Sequence, residues 1–212
     1  MIYRYDGAPP SVSAHGFTGT STDGTTVTQT SIDFGTASST RRLVCAIFYG
    51  GSNILSAVTI GGVAATRLVG VVVSSTVRLE LWIASVPTGT SGSVAVTSST
   101  TIENPSVAIV AIKYLRSAAA IDTSTDTVGT ISLSIDIESR GVVVACAGTV
   151  SGGAPGDASW TGATEVIEFT NPEQAGYRLS VATYLANSAE TNRSISASGF
   201  NGVICGCAAS FR

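Results

Sequence analysis

The feature that most constrains this sequence is that it repeats. Val77-Arg78-Leu79-Glu80-Leu81 matches Tyr177-Arg178-Leu179-Ser180-Val181 at an offset of 100 residues, and Ser31-Ile32-Asp33 matches Ser134-Ile135-Asp136 at 103. Cys45 pairs with Cys146 and Ser93-Val94 with Ser194-Ile195 at 101, and Val107 pairs with Val203 at 96. The matches keep their order, and the drift is what loops of unequal length produce. Self-similarity at a fixed spacing points to a duplicated unit, so whatever one half folds into, the other half should fold into as well.

Each half reads as β structure. Charged residues make up only 12% of the chain, against about 25% in typical soluble domains. Ser, Thr, Gly and Val, which dominate instead, are indifferent or poor helix formers. A hydrophobic content of 44%, a mean hydropathy of +0.37 and a net charge of only −3 argue against disorder. Period-two and short apolar runs recur between turn residues at regular spacing. They predict strands over 25–34, 42–49, 56–60, 63–72, 77–85, 93–98 and 107–115, then over 130–137, 142–149, 164–169, 177–185, 193–198 and 203–211. Ile60-Gly61-Gly62-Val63 is a two-residue hairpin signal, because Gly-Gly supplies the positive φ angles of a tight turn. A lone half would leave an apolar sheet face wet, and the link over 117–128 lacks the Pro/Gly-rich or charged stretch of a domain hinge. The expected fold is therefore all-β: a jelly-roll-like antiparallel β-sandwich of about twelve strands, built from two internally repeated halves (25–116 and 128–212) that share one core. Residues 1–24, with Pro9-Pro10 and little periodicity, read as an N-terminal arm.

Several functions are disfavoured. The basic residues are scattered, with only Arg41-Arg42 adjacent, whereas nucleic-acid binding needs a patch. The longest apolar runs, such as Val142-Val143-Val144-Ala145-Cys146-Ala147, fall far short of the ~20 residues of a spanning helix, so membrane insertion is not expected. Met1-Ile2-Tyr3-Arg4-Tyr5-Asp6 lacks the basic and apolar regions of a signal peptide, so folding in a cytoplasm is expected. Cys45, Cys146, Cys205 and Cys207 lie in apolar runs and read as buried free thiols. No metal or cofactor site is expected. His15, the one histidine, has no nucleophile or base at a recognisable spacing and reads as a surface or packing residue.

Candidate contact residues come from two tryptophans. On the run 77–85 the odd positions are apolar, so Arg78, Glu80 and Trp82 share the opposite face, which reads as an assembly contact or a glycan platform. Trp160, in a turn-rich segment, is the second candidate. Glu165 and Glu168 near Trp160, then Glu80 beside Trp82, are the carboxylates best placed for glycosidase chemistry, although solvated strand-edge charges explain them more simply. Asp122 and Asp126, or Asp157, are weak calcium ligands at most.

Three strings carry a resemblance. They are Val58-Thr59-Ile60-Gly61-Gly62-Val63-Ala64-Ala65-Thr66, then Leu81-Trp82-Ile83-Ala84 with Pro87-Thr88-Gly89, and Ser159-Trp160-Thr161-Gly162-Ala163-Thr164-Glu165. Their order resembles a loose group of uncharacterised proteins of tailed bacteriophages and prophages, regarded as virion components, from about residue 41 onward. The resemblance implies a virion location and transfers no catalytic residues. With few lysines and many hydroxyls, it leads to the expectation of a non-enzymatic structural protein on the particle surface: head decoration or spike, or tail fibre and adhesion component. Such a subunit would be a homo-oligomer, a trimer by analogy with decoration and fibre proteins, bound to other virion proteins and in the adhesion case to host glycan. The alternatives are a carbohydrate-binding module and a glycan-degrading enzyme.

Overall fold

Strands with no polar alternation need apolar cover on both faces, and this requirement organises the molecule. The computed structural model describes residues 8–73, 77–127 and 129–212. Met1 to Asp6, read above for a leader, and Val128, the expected start of the second half, lie outside them. The first half contains β1 (Ser11–Gly19), β2 (Gly24–Asp33), β3 (Arg42–Gly50), β4 (Leu55–Ile60), β5 (Val63–Ala64), β6 (Thr66–Val73), β7 (Val77–Ser85) and β8 (Ser91–Lys113). The second contains β9 (Asp122–Asp126), β10 (Ile131–Ile137), β11 (Val142–Val150), β12 (Ser159–Thr161), β13 (Thr164–Thr170), β14 (Tyr177–Leu185), β15 (Glu190–Ser198) and β16 (Val203–Phe211).

The first eight strands form one sheet folded over on itself as a flattened, nearly closed barrel. Its inner wall runs β6-β7-β3-β8-β1, and its outer wall is built by β5, β4 and β2 around the early part of β8. The 23-residue β8 serves both walls. It changes wall near Asn104, whose φ is 48°, and Pro105, which cannot donate to a ladder. In the second half the same pairings recur, but Gly199 and Gly202, with φ of 92° and 98°, break the chain between β15 and β16. Two separate sheets result: an inner β13-β14-β11-β16-β9 and an outer β10-β15-β12.

The two inner sheets stack on each other, giving three cores in place of one. Val44, Ala46, Phe48, Leu79, Leu81 and Ile83 meet Val142, Val144, Leu179, Val181, Cys207 and Phe211 in a core shared by the halves. The alternate residues of the same strands, Leu43, Cys45 and Ile47 or Val143, Ala145 and Ala147, face each half's own core. The expected open two-sheet jelly-roll-like sandwich of about twelve strands is thus corrected to sixteen strands among the described residues. They form an eight-stranded barrel-like sheet and two smaller sheets. The extra strands β1, β9 and β12 are rich in Ser and Thr and lie at sheet edges, where no apolar alternation is required. Within the segment expected as an arm, Ser11–Gly19 forms β1, paired with β8 from Ser11↔Lys113 to Gly19↔Ser106.

Register refines the repeat. Gly50↔Val77 and Val150↔Tyr177 end equivalent ladders, which keeps the offset of 100 between 77 and 177. Cys45, opposite Trp82, corresponds to Ala145, opposite Ala182, and not to Cys146. Val107 opposes Ile47 as Gly206 opposes Ala147, so Val203 is not its counterpart.

Polar groups close the remaining gaps. Within the expected linker, Asp122–Asp126 forms β9, whose alternate side chains Asp122, Ser124 and Asp126 accept the amides of Asp136 at 2.8 Å, Ser134 at 3.2 Å and Ser132 at 2.7 Å. These oxygens are committed to the edge of β10, not grouped around a cation. Arg41 is fully buried and donates to five carbonyls, of Phe34, Gly35, Val86, Thr88 and Gly89, at 2.7–3.0 Å. All five of its N–H groups are satisfied. The four cysteines are buried free thiols, and burial pushes the Cys45 and Cys146 thiols well above their usual range.

Leu81 and Leu179 both lie in the shared core and are fully buried. Leu81→Ala and Leu179→Ala should each cost roughly 2–5 kcal/mol in urea denaturation. A change below about 0.5 kcal/mol, as at surface sites, would contradict the stacking of the inner sheets.

Candidate functional site

The face of β7 opposite the leucines looks into the first half's own core. Arg78, Glu80 and Trp82 are all buried, Glu80 to 1% exposure. The expectation that they form an outward assembly or glycan contact is therefore corrected. Their alternation was read properly, but β3 and β7 have a core on each face, so neither face of β7 is an outside.

Glu80 is the centre of this arrangement. Its Oε1 accepts from the Tyr49 hydroxyl at 2.5 Å and the Leu55 amide at 3.2 Å. Its Oε2 accepts from the Trp82 indole at 2.9 Å and from Arg67 Nε at 3.0 Å. Burial, with the adjacent Glu80 charge, pushes the Tyr49 hydroxyl far up, so it remains a donor. A buried carboxylate persists only when paired and saturated with hydrogen bonds, and Glu80 meets both conditions. Arg78 donates to the carbonyls of Gly51 (3.0 Å from Nε) and Ser52, tying down the turn after β3. Arg67 links this interior to the surface. With Thr66, Leu68 and the stretch 118–123 it lines an open groove of about 630 Å³ along the seam between the halves.

The second half repeats the scheme with different residues. Ser180 takes the place of Glu80, and the half-buried Trp160, arriving from β12, donates its indole N–H to Ser180 Oγ at 2.8 Å. Its ring packs on the second half's core, which leaves it an internal role rather than that of a free platform. The structure does bring Glu165, Glu168 and Trp160 together. Glu168 Oε1 accepts from Arg178 at 3.2 Å and from the Ala158 amide at 2.6 Å, and Arg178 also pairs with Asp157. Glu165 lies near enough to Glu168 for their charges to interact.

Burial, then the charge of Glu168, raises the Glu165 carboxyl above its ordinary 4.5. The native state therefore binds this proton more tightly than the unfolded chain, and stability from this group falls as pH rises from 4.5 through the raised value. Glu165→Gln should flatten that decline and raise Tm at pH 7, read by thermal melts across pH 4–8. Glu80→Gln should act oppositely: an amide NH₂ would face donors, at a cost of about 3 kcal/mol measured by denaturant unfolding with tryptophan fluorescence.

Sequence reasoning passed over one constellation. His15, expected as a surface or packing residue, contacts Ser13 and Asp33. The alternation Ser13-x-His15 was a visible signal, but only the fold supplies Asp33. Among the described residues no group of three or more His, Cys, Asp or Glu is placed to hold a metal ion, and no helix is long and apolar enough to cross a membrane. Comparison with protein-family models, curated proteins and solved structures finds no match for this chain.

Proposed function

We propose that this protein is a structural subunit on the surface of a tailed-bacteriophage particle, present as a homo-oligomer, with a trimer as the assembly to test. The observation that supports this reading is where the charges go. Arg41, Arg78 and Glu80 are spent on the chain's own backbone and side chains. The result is a stack of sheets edged by hydroxyls, suited to repeated display. Exposed apolar side chains such as Phe17, Val72 and Leu185 give such a subunit surface to bury against neighbours.

The test is the location of the protein after induction of the prophage or lysis by the phage that encodes it. Peptide mass spectrometry of gradient-purified particles, with immunogold labelling, should place it on the particle. Light scattering on the purified protein should give three times the chain mass of 21.4 kDa. A protein found only in the soluble lysate would overturn the virion reading, and a monomeric mass would overturn the oligomer.

A further inference from the structure

The single histidine lies at the mouth of the first half, where β1 passes over the end of β2. Ser13 and His15 are two apart on β1, which places them on one side of the strand. Ser13 Oγ is 2.8 Å from His15 Nε2. The other ring nitrogen, Nδ1, is 3.4 Å from Asp33 Oδ2. Asp33 is itself held, because its Oδ1 accepts the Gly35 amide at 2.8 Å. A carboxylate can only accept, so the tautomer with its proton on Nδ1 turns that proton toward Asp33 and leaves Nε2 free to accept from the serine hydroxyl. In that tautomer the three side chains stand in the order of a nucleophile–base–carboxylate relay.

The surroundings are shaped for this contact. A Cβ on Gly35 would fall 1.9 Å from His15 Cε1, and a Cβ on Gly16 would fall 2.5 Å from the Asp33 amide nitrogen. Only glycine at both positions lets the imidazole lie against the 33–35 turn. Closing the edge does not by itself call for a histidine. Asp122 opposes Ser210 on β16 much as Ser13 opposes Ala111 on β8, and there one carboxylate simply accepts the Asp136 amide at 2.8 Å. The β1 ladder shifts register between Ala14 and Phe17, so His15 and Gly16 together face one residue of β8. Such a bulge leaves a residue out of the pairing and turns the strand locally. Ser13 is exposed while the His15 ring is largely sheltered, at 17%.

We propose that Ser13 is an activated nucleophile for carboxylic esters, His15 its general base and Asp33 the residue that positions the ring. This activity goes beyond the structural role proposed above and does not depend on it. Ser13 Oγ attacks the ester carbonyl as its proton passes to His15 Nε2. The carbonyl–alkoxy bond breaks, and the alcohol leaves with that proton. Water then attacks the acyl-serine, giving its proton to His15, and Ser13 regains a proton as the acid departs. The net reaction is ester plus water to acid plus alcohol.

The intact protein is treated with a fluorophosphonate probe and, separately, with p-nitrophenyl acetate. One adduct per chain, mapped to the Ser13 peptide, is the expected result. Ester turnover should fall by about 100-fold in Ser13→Ala and in His15→Gln, in line with the usual worth of a positioned general base. Asp33→Asn, at a carboxylate that is mostly exposed, should slow acylation without moving Tm, and Asp33→Glu should restore part of the rate. These two variants keep the test decisive if His15→Gln unfolds. No Ser13 adduct under conditions that label a serine hydrolase would overturn the proposal. So would labelling and turnover indifferent to both His15→Gln and Asp33→Asn.

Discussion

Everything in this protein depends on two sheets that are buried on both faces. Leu79, Leu81 and Ile83 of β7 and Val142, Val144, Leu179 and Val181 of the second half exclude water from one another, while the intervening residues do the same toward each half's own outer wall. Burying a large aliphatic side chain contributes roughly 1.5–3 kcal/mol. The central strands collect that contribution at nearly every position instead of every second one. An isolated half would keep its own small core yet expose the whole inner face of its central sheet. The halves are thus interdependent, which explains why a short connection with no hinge composition suffices between them.

The same burial dictates the treatment of polar groups. With apolar cover on both sides, any charge on a central strand must be satisfied inside the molecule. Glu80 is answered by Tyr49, Leu55, Arg67 and Trp82, and Arg41 exhausts its donors on five loop carbonyls. Single oxygens on β9 answer the amides of β10 in the same way. The chain has few charges, and the most deeply buried of them hold the scaffold together. The triad-like cluster on β1 differs, because it stands at an edge where Ser13 still reaches solvent.

Much of the strand plan was legible from residue pattern, and the reasons for the misses are physical. Runs such as 42–49 and 142–149 declared themselves because buried strands are continuously apolar, and 77–85 did so by its alternation. Ser11–Gly19, Asp122–Asp126 and Ser159–Thr161 did not, because an edge strand is held by backbone pairing and hydroxyl contacts that leave no hydrophobic period. The Cys45–Cys146 match failed for a related reason. Similar small residues occupy both faces of a doubly buried strand, so a slip of one position costs nothing in composition while exchanging one core for another.

The sequence by itself determined the all-β character, the duplication near 100 residues and the alternation that separates Leu79 and Leu81 from Glu80 and Trp82. These follow from local periodicity, which each segment carries alone. Only the tertiary structure decided that the face of Glu80 and Trp82 is interior, that there are three cores in place of one, and that His15 meets Asp33. Those outcomes depend on which sheet faces which. That choice is made by contacts between residues far apart in the chain, and no single segment records it.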